Sequence, residues 1–317
     1  MKILIPEFVA QTGKDYLREC GYEVCDDRID NKDEFLKRID QYDGLLVRAL
    51  PCDEEVMKVA KRLKVISKHG VGYDNIDVDC CTRYGVQVTY TPEAVCGAVA
   101  EHALYLMFAC AKNTRYTIRQ FVENGDFDAR DKKLGVELEG SVAGILGLGR
   151  IGRSLAQKCV GLGMKVIGYD PYVSQEQLPS DIQWMDRDSV IKNSDFLSLN
   201  LLCNSETIGS FGMSEFEMMK NTAYFINVSR GAVVQEAALI EALQRNIILG
   251  AGIDVYEQEP PNPENPLFRM DNVMATPHQA GSTTETYNKV SLHAAIGIHE
   301  ALSGKTPSWP LNSVVRK

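Results

Sequence analysis

Residues 141–163 read SVAGILGLGRIGRSLAQKCVGLG, a β-rich run that ends in glycines and passes straight into a helical pattern. Gly147, Gly149 and Gly152 stand in it at the spacing G-x-G-x-x-G. A strand, a tight glycine turn and a helix start, in that order, leave a chain few choices. Gly147 permits the turn, and Gly152 lets the helix pack close against the strand. The helix start then offers orphan N–H groups and a positive dipole end to phosphates.

Gly149 lets the backbone approach a pyrophosphate, with Arg150 and Ile151 completing the loop. The next β-rich run, KVIGYD, ends at Asp170, eighteen residues after Gly152. A carboxylate there accepts hydrogen bonds from the hydroxyls of an adenosine ribose. It also repels a 2′-phosphate, and no Arg or Lys follows it closely, so the expected cofactor is NAD and not NADP.

The rest of the chain has the same grain. Short β-rich runs (KILIP, DGLLVR, KVISKHG, VQVTYT) alternate with amphipathic segments such as KDYLRECG and DEEVMKVAKRLK. A second series from Ser141 adds SVAGILG, KVIGYD, DFLSLN, TAYFINVS, ILGAGIDV and NVMATP. Strand–helix alternation predicts parallel α/β structure, and 317 residues suit two such domains. A helix is expected over Glu93–Lys112 after Thr91-Pro92, with Ala103–Ala111 buried, and another over Thr283–Ser303.

A net charge of -9 with no basic run argues against nucleic-acid and anionic-membrane partners. The MKILIPEF start, broken by Pro6 and Glu7, is not expected to be a signal peptide, and no run is long enough to span a membrane. Nine cysteines, without C-x-x-C or paired Cys/His spacing, read as reduced thiols in a cytoplasmic protein with no metal site. Adjacent Cys80-Cys81 read as ordinary thiols rather than a redox switch.

Ligands of doubly wound sheets bind beyond the carboxyl ends of the strands. TAYFINVS ends at Ser229-Arg230-Gly231, ILGAGIDV carries Asp254 and leads to Glu259, and NVMATP ends at His278. Earlier, DGLLVR ends at Arg48, and KVISKHG leads into Lys68-His69-Gly70-Val71-Gly72. These parts suit hydride transfer to a carbonyl. An arginine grips a carboxylate in two-pronged fashion, and a histidine exchanges a proton with the carbonyl oxygen. An acid favours the charged histidine and fixes its orientation, while free N–H groups of a glycine loop hold the other side of the substrate carboxylate. Arg48 reads equally as a strand cap or a substrate ligand. His102, His293 and His299 fall on helical patterns and read as structural.

At this point the segments HGVGYDNID (69–77), VAEHAL (99–104), GILGLGRIG (144–152), INVSRGAVV (226–234), GIDVYEQEP (252–260) and TPHQAGST (276–283) resemble, in order and across nearly the whole chain, the D-isomer-specific 2-hydroxyacid dehydrogenases. The resemblance implies Arg230 as the substrate-orienting arginine, Glu259 as the acid supporting the histidine and His278 as the acid–base. It implies Asp254 at the nicotinamide carboxamide, Val228 among the cofactor contacts, and Val71 and Gly72 as the backbone clamp on the substrate. It further implies two doubly wound parallel-sheet domains. A Rossmann cofactor domain (96–283) is inserted into a flavodoxin-like substrate domain (1–95 plus 284–317), with the active site in the cleft. A homodimer through the cofactor domain and a D (R) hydroxy acid product follow from the same likeness.

Three departures stand out, the first bearing on loop geometry near the nicotinamide, the second on substrate choice and the third on regulation. Asn200 and Leu202 stand where the family often has His and Pro, Gln279 follows His278 where an aliphatic residue is usual, and no C-terminal regulatory extension is expected. Arg48, with Lys68 and His69 behind it, suits a second anionic group, which favours a small anionic 2-oxo or 2-hydroxy acid of the 3-phosphoglycerate or hydroxypyruvate type. An NAD-sensing regulatory protein on the same fold is the alternative, since such relatives keep Arg, Glu and His.

Overall fold

The computed structural model describes residues 1–29 and 31–314. They form two compact units: Met1–Val95 with the C-terminal stretch from Ser282, and Cys96–Gly281.

The first unit holds five strands, β1 (Lys2–Leu4), β2 (Glu23–Cys25), β3 (Gly44–Val47), β4 (Val65–Lys68) and β5 (Gln87–Thr89), in the spatial order β2-β1-β3-β4-β5. All pair in parallel, and the order is that of flavodoxin-like folds. Successive side chains of a strand point to opposite faces, and here they feed two cores. Leu4, Leu45, Val47, Ile66 and Val88 pack with Phe35 and Val56. Ile3, Leu46 and Val65 pack on the other side with Leu17, Ala294 and Ile298. The last two come from the helix Thr284–Leu302, whose N-terminal N–H groups are capped by the Thr283 hydroxyl through Thr286 N (3.1 Å). This helix lies against Gln11–Glu19 so closely that a Cβ on Gly13 would sit 2.4 Å from the Ser291 carbonyl oxygen. The helix Thr284–Leu302 is thereby part of the first unit's core.

The second unit holds β6 (Val142–Leu146), β7 (Lys165–Tyr169), β8 (Ile182–Trp184), β9 (Phe196–Leu199), β10 (Tyr224–Asn227), β11 (Gly250–Ile253) and β12 (Val273–Ala275). Their order is β12-β11-β10-β9-β6-β7-β8, all parallel. β9, β10 and β11 are buried along their whole length, as parallel strands covered on both faces are. Phe225 of β10 packs ring to ring with Phe211 and Phe216. The strand order reverses between β6 and β9, the switch point where such sheets open to ligands. The two doubly wound sheets are those expected of a Rossmann domain inserted in sequence into a flavodoxin-like one.

All ten β-rich runs read from the sequence contain a strand. β2 and β8 were not anticipated: each is a partly exposed edge strand of three residues, too short to show a pattern. The helix expected over Glu93–Lys112 runs Cys96–Ala111. Its start is displaced because the Thr91 hydroxyl and N–H are engaged with the Gly70 backbone, which leaves residues 92–95 to make the turn. Nor is that helix buried all round, since Tyr105 and Phe108 are 44% and 40% exposed. Among the described residues no helix is long and apolar enough to cross a membrane, and no His/Cys/Asp/Glu cluster is placed to hold a metal. Cys80 and Cys81 are both buried, and burial pushes the Cys81 thiol up to about 12.

Candidate active site

The phosphate loop follows β6. Gly147 has φ +96°, and a Cβ on it would meet the Asn200 carbonyl oxygen at 2.5 Å. A Cβ on Gly152 would lie 1.9 Å from the Gly147 carbonyl oxygen, so both glycines are required by close backbone approach. Gly149 differs: nothing lies within 4 Å of its missing Cβ, and it caps the helix Arg150–Gly161 beside the exposed Arg150. The half-buried Ile151 follows on the first turn. That open helix start is the space a pyrophosphate needs, so these residues fit a dinucleotide.

Asp170 follows β7, and its Oδ2 accepts the Leu148 N–H of the same loop (2.9 Å) while Oδ1 accepts the Tyr172 N–H (2.9 Å). The carboxylate is thereby fixed at the loop's edge with lone pairs left for ribose hydroxyls. Val228, just past β10, is buried.

The next three polar groups come from the ends of three adjacent strands. Arg230 follows β10, and Asn227 shapes its loop by accepting the Ser229 N–H (3.0 Å) and donating to the Arg230 carbonyl (3.1 Å). The Arg230 guanidinium donates to the Ser229 carbonyl (2.8 Å). Gly231 passes so close to the chain after β11 that a Cβ would fall 1.8 Å from the Tyr256 carbonyl oxygen. Glu259 lies on that chain. Its Oε1 accepts the Tyr256 N–H (3.1 Å), and its Oε2 lies 2.6 Å from His278 Nδ1. Burial works to raise the Glu259 pKa, but the His278 hydrogen bond and charge, with Arg230 assisting, hold it below the usual carboxylate value.

His278 follows β12 in the left-handed region (φ +50°), an uncommon conformation for a residue with a side chain. Its N–H donates to the Asp254 carbonyl (2.8 Å), and its side chain stays 46% exposed. Asp254, fully buried, turns its carboxylate toward its own chain, accepting the Thr276 hydroxyl and the N–H groups of Gln279 and Ala280. His102, read from its helical pattern as structural, has its Nε2 2.9 Å from the Thr276 hydroxyl. It lies in the segment VAEHAL that carries the resemblance, but its partner, 174 residues away, could not be read from the sequence.

In the first unit, Glu7 gathers the N–H groups of Arg48 (2.6 Å) and Ala49 (2.8 Å). The Arg48 guanidinium donates to the Phe8 carbonyl (3.2 Å) and the Tyr287 hydroxyl (3.1 Å), with its centre 5.3 Å from the Tyr287 ring. Val71 and Gly72 are partly exposed in the loop after β4. Lys68 and His69 do not join Arg48 as further surface cations. The Lys68 ammonium donates to the Arg48 carbonyl and to Asn75 Oδ1 (2.6 Å). His69 pairs with Ser291 Oγ (2.9 Å), and burial, then the Arg48 charge, push its pKa down to about 3. His69 is therefore neutral at physiological pH.

Residues 104–280 match the family model for the D-isomer specific 2-hydroxyacid dehydrogenase NAD-binding domain. The chain is 38% identical to a D-3-phosphoglycerate dehydrogenase of Archaeoglobus fulgidus over 96% of its own length, but it spans only 58% of that relative. It is 36% identical to a hydroxypyruvate reductase of Thermotoga maritima, covering 86% of this chain and 88% of that one. A glyoxylate reductase crystal structure from Paecilomyes thermophila superposes with a TM-score of 0.89, at 28% identity and 98% coverage of both chains.

Proposed function

The chain belongs to the D-isomer-specific 2-hydroxyacid dehydrogenase family, and from that premise we propose that it interconverts a small 2-oxo acid and its D-2-hydroxy acid by NAD-dependent hydride transfer. The observation that carries this reading is the convergence of Arg230, Glu259 and His278 from three neighbouring strand ends, with His278 Nδ1 2.6 Å from the Glu259 carboxylate.

NAD(H) supplies or takes up the hydride at carbon 2. Arg230 grips the substrate carboxylate and so orients the adjacent carbonyl. His278, charged and held through Nδ1 by Glu259, presents Nε2 to the carbonyl oxygen. It gives up a proton as the carbonyl π pair becomes an O–H bond, and takes that proton back in the oxidative direction. Glu259 supports the imidazolium by charge and fixes the ring. Gly147, Gly149, Arg150, Ile151 and Gly152 hold the pyrophosphate, Asp170 the adenosine ribose, and Val228 and Asp254 the nicotinamide end, where Asp254 Oδ2 accepts a single protein hydrogen bond. Cys96–Gly281 is assigned to the cofactor and the other unit to the substrate, through Arg48 and the backbone of Val71 and Gly72.

Arg48, a partly exposed guanidinium, favours an oxo acid with an oxygen-bearing third carbon, hydroxypyruvate or its 3-phosphate, over pyruvate. The exposed apolar side chains Tyr105, Phe108, Ile118, Phe121, Val122 and Phe127 support a homodimer through the cofactor unit. The many reduced thiols support a cytoplasmic setting. NADH consumption with 3-phosphohydroxypyruvate, hydroxypyruvate, glyoxylate, pyruvate and branched-chain 2-oxo acids tests the proposal. Rapid turnover of one of the first two is expected. Tight NADH binding with no turnover across the panel would instead favour an NAD-sensing protein.

A further inference from the structure

Behind His278, the carboxylate of Asp254 is joined by Thr276 and His102, two polar groups that hydride transfer does not itself require. The Asp254 carboxylate is fully buried. Its Oδ1 accepts the Thr276 hydroxyl (2.6 Å) and the Gln279 N–H (2.9 Å), and its Oδ2 accepts the Ala280 N–H (2.8 Å). One carboxylate thus grips residues on both sides of His278. From the helix Cys96–Ala111, His102 places Nε2 2.9 Å from Thr276 Oγ1 and 3.4 Å from Asp254 Oδ1. The Thr276 hydroxyl has one proton, and its short bond to Asp254 uses it. Its oxygen can then only accept from His102, which sets the ring as an Nε2–H donor.

Left-handed backbone at a non-glycine residue persists where its surroundings over-determine it. His278 needs such holding, because its φ is +50° and nearly half of its side chain is exposed. We infer that His102 and Thr276 are positioning residues for the acid–base step. Through the Asp254 carboxylate they hold residues 276–280 so that His278 keeps its left-handed backbone and its 2.6 Å bond to Glu259. The inference rests on the acid–base reading of His278. Burial works to raise the Asp254 pKa, yet the bonds from His102, Thr276, Gln279 and Ala280 outweigh it and keep the group below the ordinary carboxylate value. The carboxylate therefore stays charged, which is the state in which it grips two N–H groups and a hydroxyl most strongly.

The test compares Thr276→Val, Thr276→Ser, His102→Leu and His102→Gln with the unaltered protein and with His278→Asn, using NADH and hydroxypyruvate. Thermal unfolding establishes that each variant is folded. Thr276→Val and His102→Leu are expected to lower kcat by roughly 10–100-fold while the Kd for NADH, read from its fluorescence, moves less than about threefold. Thr276→Ser and His102→Gln, which keep a hydroxyl and an N–H, should restore kcat to within about threefold. Unchanged kcat in folded Thr276→Val, beside an inactive His278→Asn, would overturn the inference while leaving the acid–base reading intact. So would a Thr276→Ser variant as impaired as Thr276→Val, or a loss confined to NADH affinity. Full turnover by His278→Asn would remove the acid–base reading itself, and the inference with it.

Discussion

His278 combines three properties that seldom coincide in one side chain: left-handed backbone, substantial exposure and a 2.6 Å bond to a carboxylate. A histidine held in this way is fixed in orientation, which is what proton exchange with a carbonyl oxygen demands. Replacing it by asparagine should leave NADH affinity nearly intact and cut turnover by about 10²–10⁴-fold in steady-state assays. Arg230→Gln should raise KM and lower kcat together, because the carboxylate grip also orients the reacting carbonyl; an unaltered KM would place the grip elsewhere. The two supporting acids, Glu259 and Asp254, both have pKa values lowered below the ordinary range. Their contribution to stability is therefore complete above the unfolded-state carboxylate pKa of about 4 and is lost as pH falls through the lowered values. Because His69 stays neutral in the folded state down to about pH 3, the unfolding midpoint should begin to fall below about pH 6.5 and fall further below about pH 4, and Asp254→Asn should start lower and lose less over the acidic part of that fall. The positions of the glycine motif, Asp170, Arg230, Glu259 and His278 after the ends of their strands were legible from the sequence. The inward use of Lys68 and His69 was not, because a cation's identity says nothing about which way its side chain turns, and their partners Asn75 and Ser291 meet them only in the folded unit.

At the scale of elements, the strands that could be read were the interior ones. β9, β10 and β11 are buried throughout, and burial on both faces writes itself as apolar runs. β2 and β8 sit at sheet edges, where one side of the ladder needs no partner, and at three residues each EVC and IQW are too short to carry a strand pattern. The early end of the expected helix at residues 93–95 was lost to a tertiary contact, the Thr91–Gly70 bonds, which no local pattern encodes. The phosphate loop shows the reverse case, in which local sequence and tertiary demand coincide. Gly152→Ala would drive a methyl into the Gly147 carbonyl, and it should destabilise the cofactor unit by about 1–3 kcal/mol and abolish NADH binding. Denaturant unfolding with and without NADH would check this. If Asp170 holds the ribose as proposed, Asp170→Ser with Pro171→Arg should shift preference from NADH toward NADPH, because the carboxylate is exchanged for a cation.

For the whole molecule, the chain's own charge and surface set the expectations. A net charge of -9 repels anions at long range, so an arginine proposed to hold an anionic substrate has to act locally, and KM for a phosphorylated oxo acid should depend on ionic strength. The exposed aromatic and aliphatic side chains at 105–127 should be covered by a second copy. Phe121→Asp combined with Phe108→Asp is expected to convert a dimer to a monomer in light scattering, and a monomeric starting protein would remove this assignment. Dimerisation is secondary to the central claim, which is that this chain moves a hydride between NADH and carbon 2 with D selectivity. The most direct measurement is incubation of hydroxypyruvate with NADH deuterated at C4, followed by chiral analysis and mass spectrometry of the product. Each NADH consumed should leave one deuterium on carbon 2 of D-glycerate when the transferable face carries the label. L-glycerate, or a product free of deuterium from either labelled face, would contradict the account.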